Sequence, residues 1–131
     1  MRTGRPHKLK IQRTIESIHL ILSHERIGDD LLVTIHGGDE YHIGGVALAY
    51  PTQSHYRNAI TVSVNTITAP GHKDYLVANS SAEKICRALE VTTLVSVGIH
   101  VEKATTEQIG MIVQEVDSMV DETIAYYQNA E

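Results

Sequence analysis

Histidine and glycine are concentrated in the most polar segment of this sequence. The 131-residue chain has eight histidines, and imidazole is both a common metal ligand and the side chain that titrates near neutral pH. Residues 35–45 contain two histidines and two glycine pairs, namely His36, Gly37, Gly38, His42, Gly44 and Gly45. Paired glycines permit positive φ and close backbone approach, so their N–H groups can face an anion. The segment predicts an anion-binding loop, or a tight connection whose glycines only turn the chain.

A second candidate is the segment Pro-Gly-His-Lys-Asp at residues 70–74, where a strand pattern gives way to a helical one. The unpaired N–H groups and the positive dipole end of a helix N-terminus favour an anion, and Lys73 adds a full positive charge. Gly71, His72 and Lys73 therefore predict a phosphate or carboxylate site. The alternative is that Asp74 caps the helix and leaves His72 and Lys73 in solvent.

The third candidate ends a later strand, where Gly98 and His100 precede Glu102. Alternation places His100 and Glu102 on one side of the chain. If the two strands are adjacent or facing, His36 and His100 with a carboxylate suit a divalent ion such as zinc, iron or manganese. No HExxH or His-x-His pair fixes that geometry, so a hydrogen-bonded strand-end histidine is the alternative.

A pattern of strands followed by helices must position these segments. Period-two alternation predicts strands, and steps of three and four predict helices. The predicted strands cover residues 15–24, 31–36, 42–50, 58–68 and 92–101, and the predicted helices cover 72–90 and 106–128. Pro51 is expected to end the third strand, and Thr105 with Gln108 forms a capping box before the last helix. The order β-β-β-β-α-β-α predicts an α+β fold, with two helices on one face of a mainly antiparallel sheet.

The sheet face away from the helices is predicted to be small and polar. Thr34 and His36 share one side of their strand, and Ser96, Gly98 and His100 share one side of theirs. Such a face can meet water or a second copy of the chain. We expect a homodimer.

Composition bounds the class of protein. Eleven basic residues against sixteen acidic ones give a net charge of −5, and Trp and Phe are absent, which argues against a nucleic-acid partner. No apolar run reaches the roughly 20 residues of a membrane span. Cys86 is the single cysteine, which fits a reducing cytoplasm, and its helical position predicts core packing. The length predicts one domain over residues 1–131, with 1–10 as a tail or edge segment. His19 and His24 are expected at the surface.

Three segments, in this order, resemble a known family. Residues 34–51 read Thr-Ile-His-Gly-Gly-Asp-Glu-Tyr-His-Ile-Gly-Gly-Val-Ala-Leu-Ala-Tyr-Pro, residues 70–74 read Pro-Gly-His-Lys-Asp, and residues 97–104 read Val-Gly-Ile-His-Val-Glu-Lys-Ala. They are similar to the small D-subunit family of hydroxyarylic, gallate-type decarboxylase systems, which is described as a prenylated-flavin chaperone. The resemblance covers about residues 31–124 and implies a fold like that of proteasome assembly chaperones.

The resemblance implies a cytoplasmic accessory protein rather than an enzyme. It would bind prenylated FMN, made by a flavin prenyltransferase, and deliver or mature it for a decarboxylase of phenolic acids. The phosphate would bind at residues 71–74 or at the two glycine pairs, and the ring would lie on the sheet face at Ser96 and Gly98. His36, His42 and His100 would hydrogen-bond the ring or hold a bridging metal. A small metal-dependent enzyme and a purely structural decarboxylase subunit are the alternatives.

Overall fold

A six-stranded sheet carries two helices in this protein. The computed structural model describes residues 8–54, 56, 59–69 and 74–129. The strands are β1 (Lys8–Ile15), β2 (Ile18–Ile27), β3 (Asp30–Gly38), β4 (Gly45–Ser54), β5 (Ala59–Thr68) and β6 (Thr93–His100), and the helices are α1 (Tyr75–Leu89) and α2 (Thr106–Asn129). The predicted α+β class and the closing order helix, strand, helix are confirmed.

The sheet is mixed, so the prediction of a mainly antiparallel sheet is wrong in part. The strand order is β1-β2-β3-β6-β4-β5. β3 and β6 run parallel at the centre, while the other four neighbouring pairs are antiparallel. A parallel pair needs a long crossover connection, and the chain returns through β4, β5 and α1 before β6 inserts between β3 and β4. Alternation has the same period in both strand directions, so the sequence pattern does not reveal this insertion.

The N-terminal segment supplies a sixth strand that the alternation analysis did not separate. β1 pairs with β2 along its whole length, from Lys8 opposite Glu25 to Ile15 opposite Ile18. The turn between them consists of Glu16 and Ser17, both at positive φ. Two-residue hairpin turns of this kind usually contain glycine or asparagine. The predicted strand at 15–24 therefore began at the last residue of β1 and continued across an unrecognised turn. Residues 8–10 belong to an edge strand, which is the second of the two alternatives predicted for the N-terminal segment.

The third predicted strand begins and ends later than expected. Residues 42–44 precede β4, and β4 continues through Pro51 to Ser54. β4 pairs with β6 only from Gly45 to Ala49, and beyond that point it pairs with β5 alone in the described part of the chain. Proline is tolerated on such a one-sided stretch because the missing N–H need not break a ladder bond.

Both helices pack on one face of the sheet, as predicted. Leu22, Ile35 and Val97 are successive register partners across the sheet centre, and each is almost fully buried. Burying an aliphatic side chain of this size contributes roughly 1.5–3 kcal/mol. Cys86 is fully buried in the same core, which confirms its structural role. Burial raises the pKa of its thiol, with Arg87 opposing the shift.

The predicted capping box is present at the start of α2. The Thr105 N–H donates to Gln108 Oε1, and the Gln108 N–H donates to Thr105 Oγ1, each at 3.0 Å. These reciprocal bonds satisfy two amide groups that a helix start otherwise leaves open. In the described part of the chain, no helix is both long and apolar enough to cross a membrane.

The other face of the sheet is only partly polar. Thr34 lies opposite Ser96, as the alternation predicts. Two residues along the strands, on the same face, an apolar row crosses β3, β6 and β4 and consists of Leu32, Leu94 and Leu48. The prediction of a small polar face therefore holds near the ends of β3 and β6 and fails in this row.

Candidate functional site

The ends of β3 and β6 bring two of the three predicted segments together. Because these strands are parallel neighbours, His36 lies opposite Gly98 and Gly38 lies opposite His100. His36 and His100 are consequently diagonal neighbours on the sheet face away from the helices. Residues 39–44 connect this end to β4. We call residues 36–45, Asp74 and 98–102 the strand-end site.

The first contact that closes the strand-end site is made by Asp39. Its N–H donates to the carbonyl oxygen of His100 at 2.6 Å, and its Oδ2 accepts the N–H of Glu102 at 2.7 Å. Gly38, at a φ of 80°, makes the approach possible, since a Cβ there would overlap the His100 carbonyl oxygen. Glycine at position 38 therefore allows the backbone at the end of β3 to approach the backbone of His100 closely.

The second contact is made by Asp74. Its Oδ1 accepts the N–H of Ile99 at 3.2 Å, and its Oδ2 lies 3.3 Å from Nε2 of His42. A Cβ on Gly44 would overlap Asp74 Oδ2. The Asp74 carboxylate therefore connects the end of β6, at Ile99, to the segment that leads into β4, at His42.

Asp74 is the N-cap residue of α1 and its carbonyl oxygen accepts the N–H of Ala78 at 3.0 Å, but its side chain makes no capping bond to the helix. The predicted cap is therefore present in position and not in its side-chain bond, and His72 and Lys73 lie outside the described residues.

Gly98 is covered by the connecting segment. A Cβ at Gly98 would overlap the carbonyl oxygen of His42 and crowd the N–H of Ile43. The backbone of residues 42–43 therefore occupies the place where the sequence analysis put a flat ring. A flavin ring cannot lie directly on Gly98 in this conformation, and the expectation of a ring platform at that residue is wrong.

The glycine-pair amides are partly used inside the fold. The Gly44 N–H donates to the carbonyl oxygen of Val97 at 2.9 Å. Gly37 packs against β2, because a Cβ there would overlap the carbonyl oxygen of His19, and Gly45 packs against the start of α1 at Tyr75. These contacts favour a structural role for both pairs over an anion-binding one.

Each histidine at the strand ends has a neighbour of its own. The ring of His36 lies 4.7 Å from the ring of Tyr41. Burial lowers the pKa of His36, and the charges of Lys10 and Lys8 lower it further, so its neutral form is favoured at pH 7. Nε2 of His100 lies 3.1 Å from Oε2 of Glu102, which places these two groups on one side as predicted.

The predicted metal site does not fit the described residues. His36 and His100 are near neighbours, but within residues 8–54, 56, 59–69 and 74–129 no three His, Cys, Asp or Glu side chains gather in a way that could hold a metal ion. Gly71, His72 and Lys73 lie outside the described residues. The adjoining Asp74 places the end of that segment at the strand-end site.

One histidine was placed wrongly by the sequence analysis. His24 is buried, with 3% exposure, and its Nδ1 lies 2.7 Å from the hydroxyl oxygen of Tyr127. Burial lowers the pKa of His24, and Glu122 opposes the shift. The partner is distant in the sequence, so no local pattern signals this contact. His19, on the same strand, is exposed as predicted.

A cleft that the sequence pattern did not predict lies between the N-terminal turns of α1 and α2. Its volume is about 420 Å³, within the range typical of ligand pockets. The lining residues are Asp74, Leu76, Val77, Ile99, His100, Val101, Ala104, Ile109, Ile112 and Val113. Asp74 and His100 join the cleft to the strand-end site. One sequence feature pointed to this cleft. The apolar stripe of the last helix includes Ile109 and Val113, and this stripe is wider than a helix needs in order to pack one face on a core.

This arrangement of a mixed sheet and two helices defines an α+β fold shared with a known chaperone. The chain resembles one in the crystal structure of a chaperone complex for yeast 20S proteasome assembly, with a TM-score of 0.53 and 16% identity. The match covers 88% of this chain and 94% of that one. The expected likeness to proteasome assembly chaperones is confirmed at the level of the fold.

Sequence comparison identifies the family. The model of the prenylated flavin chaperone LpdD-like domain matches residues 14–128. The chain is also 30% identical to Protein LpdD of Lactiplantibacillus plantarum over 102 residues, which cover 78% of this chain and 72% of that protein. The chain belongs to the LpdD-like family of prenylated flavin chaperones.

Proposed function

We propose that this protein binds prenylated FMN as cargo and delivers it to a decarboxylase of phenolic acids. The observation that carries the proposal is the ligand-sized cleft that opens directly beside the strand-end site, in a chain of the prenylated flavin chaperone family. The cargo would come from a flavin prenyltransferase. The protein itself would be a carrier in the cytoplasm, working as a homodimer, and would supply no catalytic group.

The phosphate is proposed to bind at the start of α1. A helix start combines open N–H groups with the positive end of the dipole, and α1 begins at Tyr75 beside the cleft. Lys73 precedes it by two residues and adds a positive charge. The glycine pairs are the weaker alternative, because the Gly44 N–H is already bonded within the fold.

The polar groups of the flavin ring are proposed to face His42 and the end of β6 at His100, whose own side chain lies on the sheet face away from the helices. His100 borders the cleft, and His42 contacts Asp74 at the same end. An imidazole ring carries two nitrogens that can form hydrogen bonds, which suits the polar groups of a flavin. The ring of His36 contacts that of Tyr41 in a tilted arrangement on the sheet face away from the helices, and His36 is proposed to support this end of the site from there.

The partly open cleft suits a carrier that must release its cargo. Leu76 and Val113 on its rim remain 59% and 47% exposed, so the bound ligand would stay in contact with solvent or with the receiving enzyme. Affinity in the micromolar range, about −8 kcal/mol, would hold the cofactor and still allow transfer.

Titration of the purified chain with FMN and with prenylated FMN, followed by flavin absorbance, tests the proposal. We expect saturable binding of prenylated FMN, and loaded protein should restore activity to a decarboxylase freed of its cofactor. Lys73→Ala should weaken binding about tenfold or more, because bonds to charged groups contribute roughly 1.5–3 kcal/mol.

The matched control is Lys84→Ala. Lys84 lies on α1, pairs with Asp117 and Asp121 of α2, and does not line the cleft. The substitution removes the same positive charge as Lys73→Ala and should leave flavin binding unchanged. Absence of binding to both flavins by the folded wild-type protein contradicts the proposed function.

A further inference from the structure

Three of the exposed large apolar side chains of this protein gather around one cleft. Leu76, Ile109 and Val113 are 59%, 52% and 47% exposed, and all three line the cavity of about 420 Å³ between α1 and α2. Apolar side chains scattered singly over a surface are normal, whereas a cluster around a cavity marks a binding site.

The floor of the cleft is apolar, and its polar groups lie at one end. Val77, Ile99 and Ile112 contribute apolar surface, and each also belongs to or packs against the main core. Asp74 is held at the strand-end site by the N–H of Ile99. The cleft therefore offers one end to polar groups and the remainder to hydrocarbon.

The apolar seam continues along the two helices. A second cavity, of about 280 Å³, shares Val77 and Val113 with the first and reaches Gly110. A Cβ on Gly110 would meet nothing within 4 Å, so no packing contact in the described chain requires a glycine there. Glycine inside a helix is unfavourable relative to alanine, and the extra space extends the cleft toward solvent.

We infer that the cleft between α1 and α2 binds the prenyl-bearing edge of the flavin and thereby distinguishes prenylated FMN from FMN. This inference rests on the proposed function and adds the basis of its specificity. A prenyl group is a short branched hydrocarbon, which Leu76, Ile109 and Val113 can cover. FMN lacks that group and would leave their surface in water. The ring's polar edge then faces the end of the cleft that Asp74 and the last residues of β6 form.

Parallel titrations of the full chain with FMN and prenylated FMN test the inference. The wild-type protein should bind prenylated FMN about tenfold or more tightly than FMN, because burying several apolar carbons favours the prenylated form. The double variant Leu76→Asn/Val113→Asn should bring the two affinities within about twofold. Ile67→Asn is the matched control: Ile67 is 72% exposed on β5, lies outside the cleft, and should keep the wild-type ratio.

Each outcome is decisive. A folded double variant that keeps the wild-type ratio overturns the inference and leaves the proposed function standing. Wild-type protein that binds both flavins equally overturns the inference in the same way, while binding of neither overturns the proposed function with it. If the double variant does not fold, Val113→Trp fills the cleft from an exposed helix position, and it should reduce prenylated FMN binding more than FMN binding. Equal effects on both flavins would contradict the inference.

Discussion

Two regions of this molecule, one around His24 and the other the strand-end site, differ in what surrounds the imidazole rings they contain. His24 is a buried residue of β2, and its ring lies near those of Tyr126 and Tyr127 in the last turns of α2. His42 and His100 lie beside carboxylates at the strand-end site, next to an open cleft. The comparison shows that two properties distinguish a structural histidine from a candidate ligand-binding one: how deeply the imidazole is buried, and whether aromatic rings or carboxylates surround it.

The two regions also differ in what holds them together. Around His24 the contacts are made by large rings, and the guanidinium of Arg26 lies 4.7 Å from the centre of the Tyr127 ring. At the strand-end site the contacts are hydrogen bonds from Asp39 and Asp74 to the backbone, together with glycines that permit close approach. We therefore expect large stability effects in the first region, and smaller ones accompanied by changes in binding in the second.

The largest effect should come from Tyr127→Ala. Tyr127 is 4% exposed, and removing a buried aromatic ring costs about 3–5 kcal/mol. Urea denaturation followed by circular dichroism measures the loss in the free energy of unfolding. Tyr126→Ala is the control, because its side chain is 43% exposed, and it should cost less than half as much. Equal losses in the two variants would show that the Tyr127 contact is not structural.

Gly98→Ala should be the most damaging single substitution at the strand-end site. The new methyl group would overlap the backbone of His42, and displacing the connecting segment should cost about 1–3 kcal/mol and weaken flavin binding. Gly110→Ala is the matched control in open space and should stabilise the protein by about 0.5–1 kcal/mol. Changes of the same sign in both variants would contradict the close approach at Gly98.

Asp74→Ala should cost about 1–3 kcal/mol, because the substitution leaves the N–H of Ile99 without its acceptor. The change should be local. Amide hydrogen exchange should accelerate at Ile99 and in residues 39–44, and it should stay unchanged at Val33 in the core. Protection retained at Ile99 would show that Asp74 does not hold this end of β6.

The smallest effect should be a pH dependence from His24. Its pKa is lower in the folded chain than the ordinary 6.5, so the unfolded chain takes up the proton first as the pH falls. The stability contributed by His24 is thus complete above about pH 6.5 and declines below it, by at most about 1.4 kcal/mol per pH unit.

Denaturation midpoints between pH 7.5 and 5.5 measure this slope. His24→Gln should flatten it, and His36→Gln should flatten it less, because His36 is less buried. An unchanged slope in His24→Gln would rule out the proposed origin of the pH dependence.

Much of the fold follows from periodicity alone. The steps of three and four predicted α2 almost to its ends, and Thr105 with Gln108 marked its first turn. The parallel pairing of β3 with β6 was not predictable, because alternation carries no information on strand direction. The turn at Glu16 and Ser17 was missed because it lacks the residues that usually allow positive φ.

The sequence predicted which residues belong to the candidate site better than it predicted how they are arranged. Residue types and the family resemblance drew attention to His36, His42, Gly98 and His100, which the fold brings to one end of the sheet. The cover over Gly98 was not predictable, and the apolar stripe of α2 indicated extra apolar surface without locating the cleft, because both features depend on how residues far apart in the sequence pack. The dimer stays a prediction of the sequence, whereas the described residues around His36 and His100 contain no group of three His, Cys, Asp or Glu side chains for the predicted metal ion.

Titration of isotope-labelled protein with prenylated FMN, followed by amide NMR, tests the central claim most directly. We predict shifts at Asp74, Leu76, His100 and Val113, and none around His24. Shifts confined to the sheet face at Thr34 and its neighbours, or to the region of His24, would contradict the account.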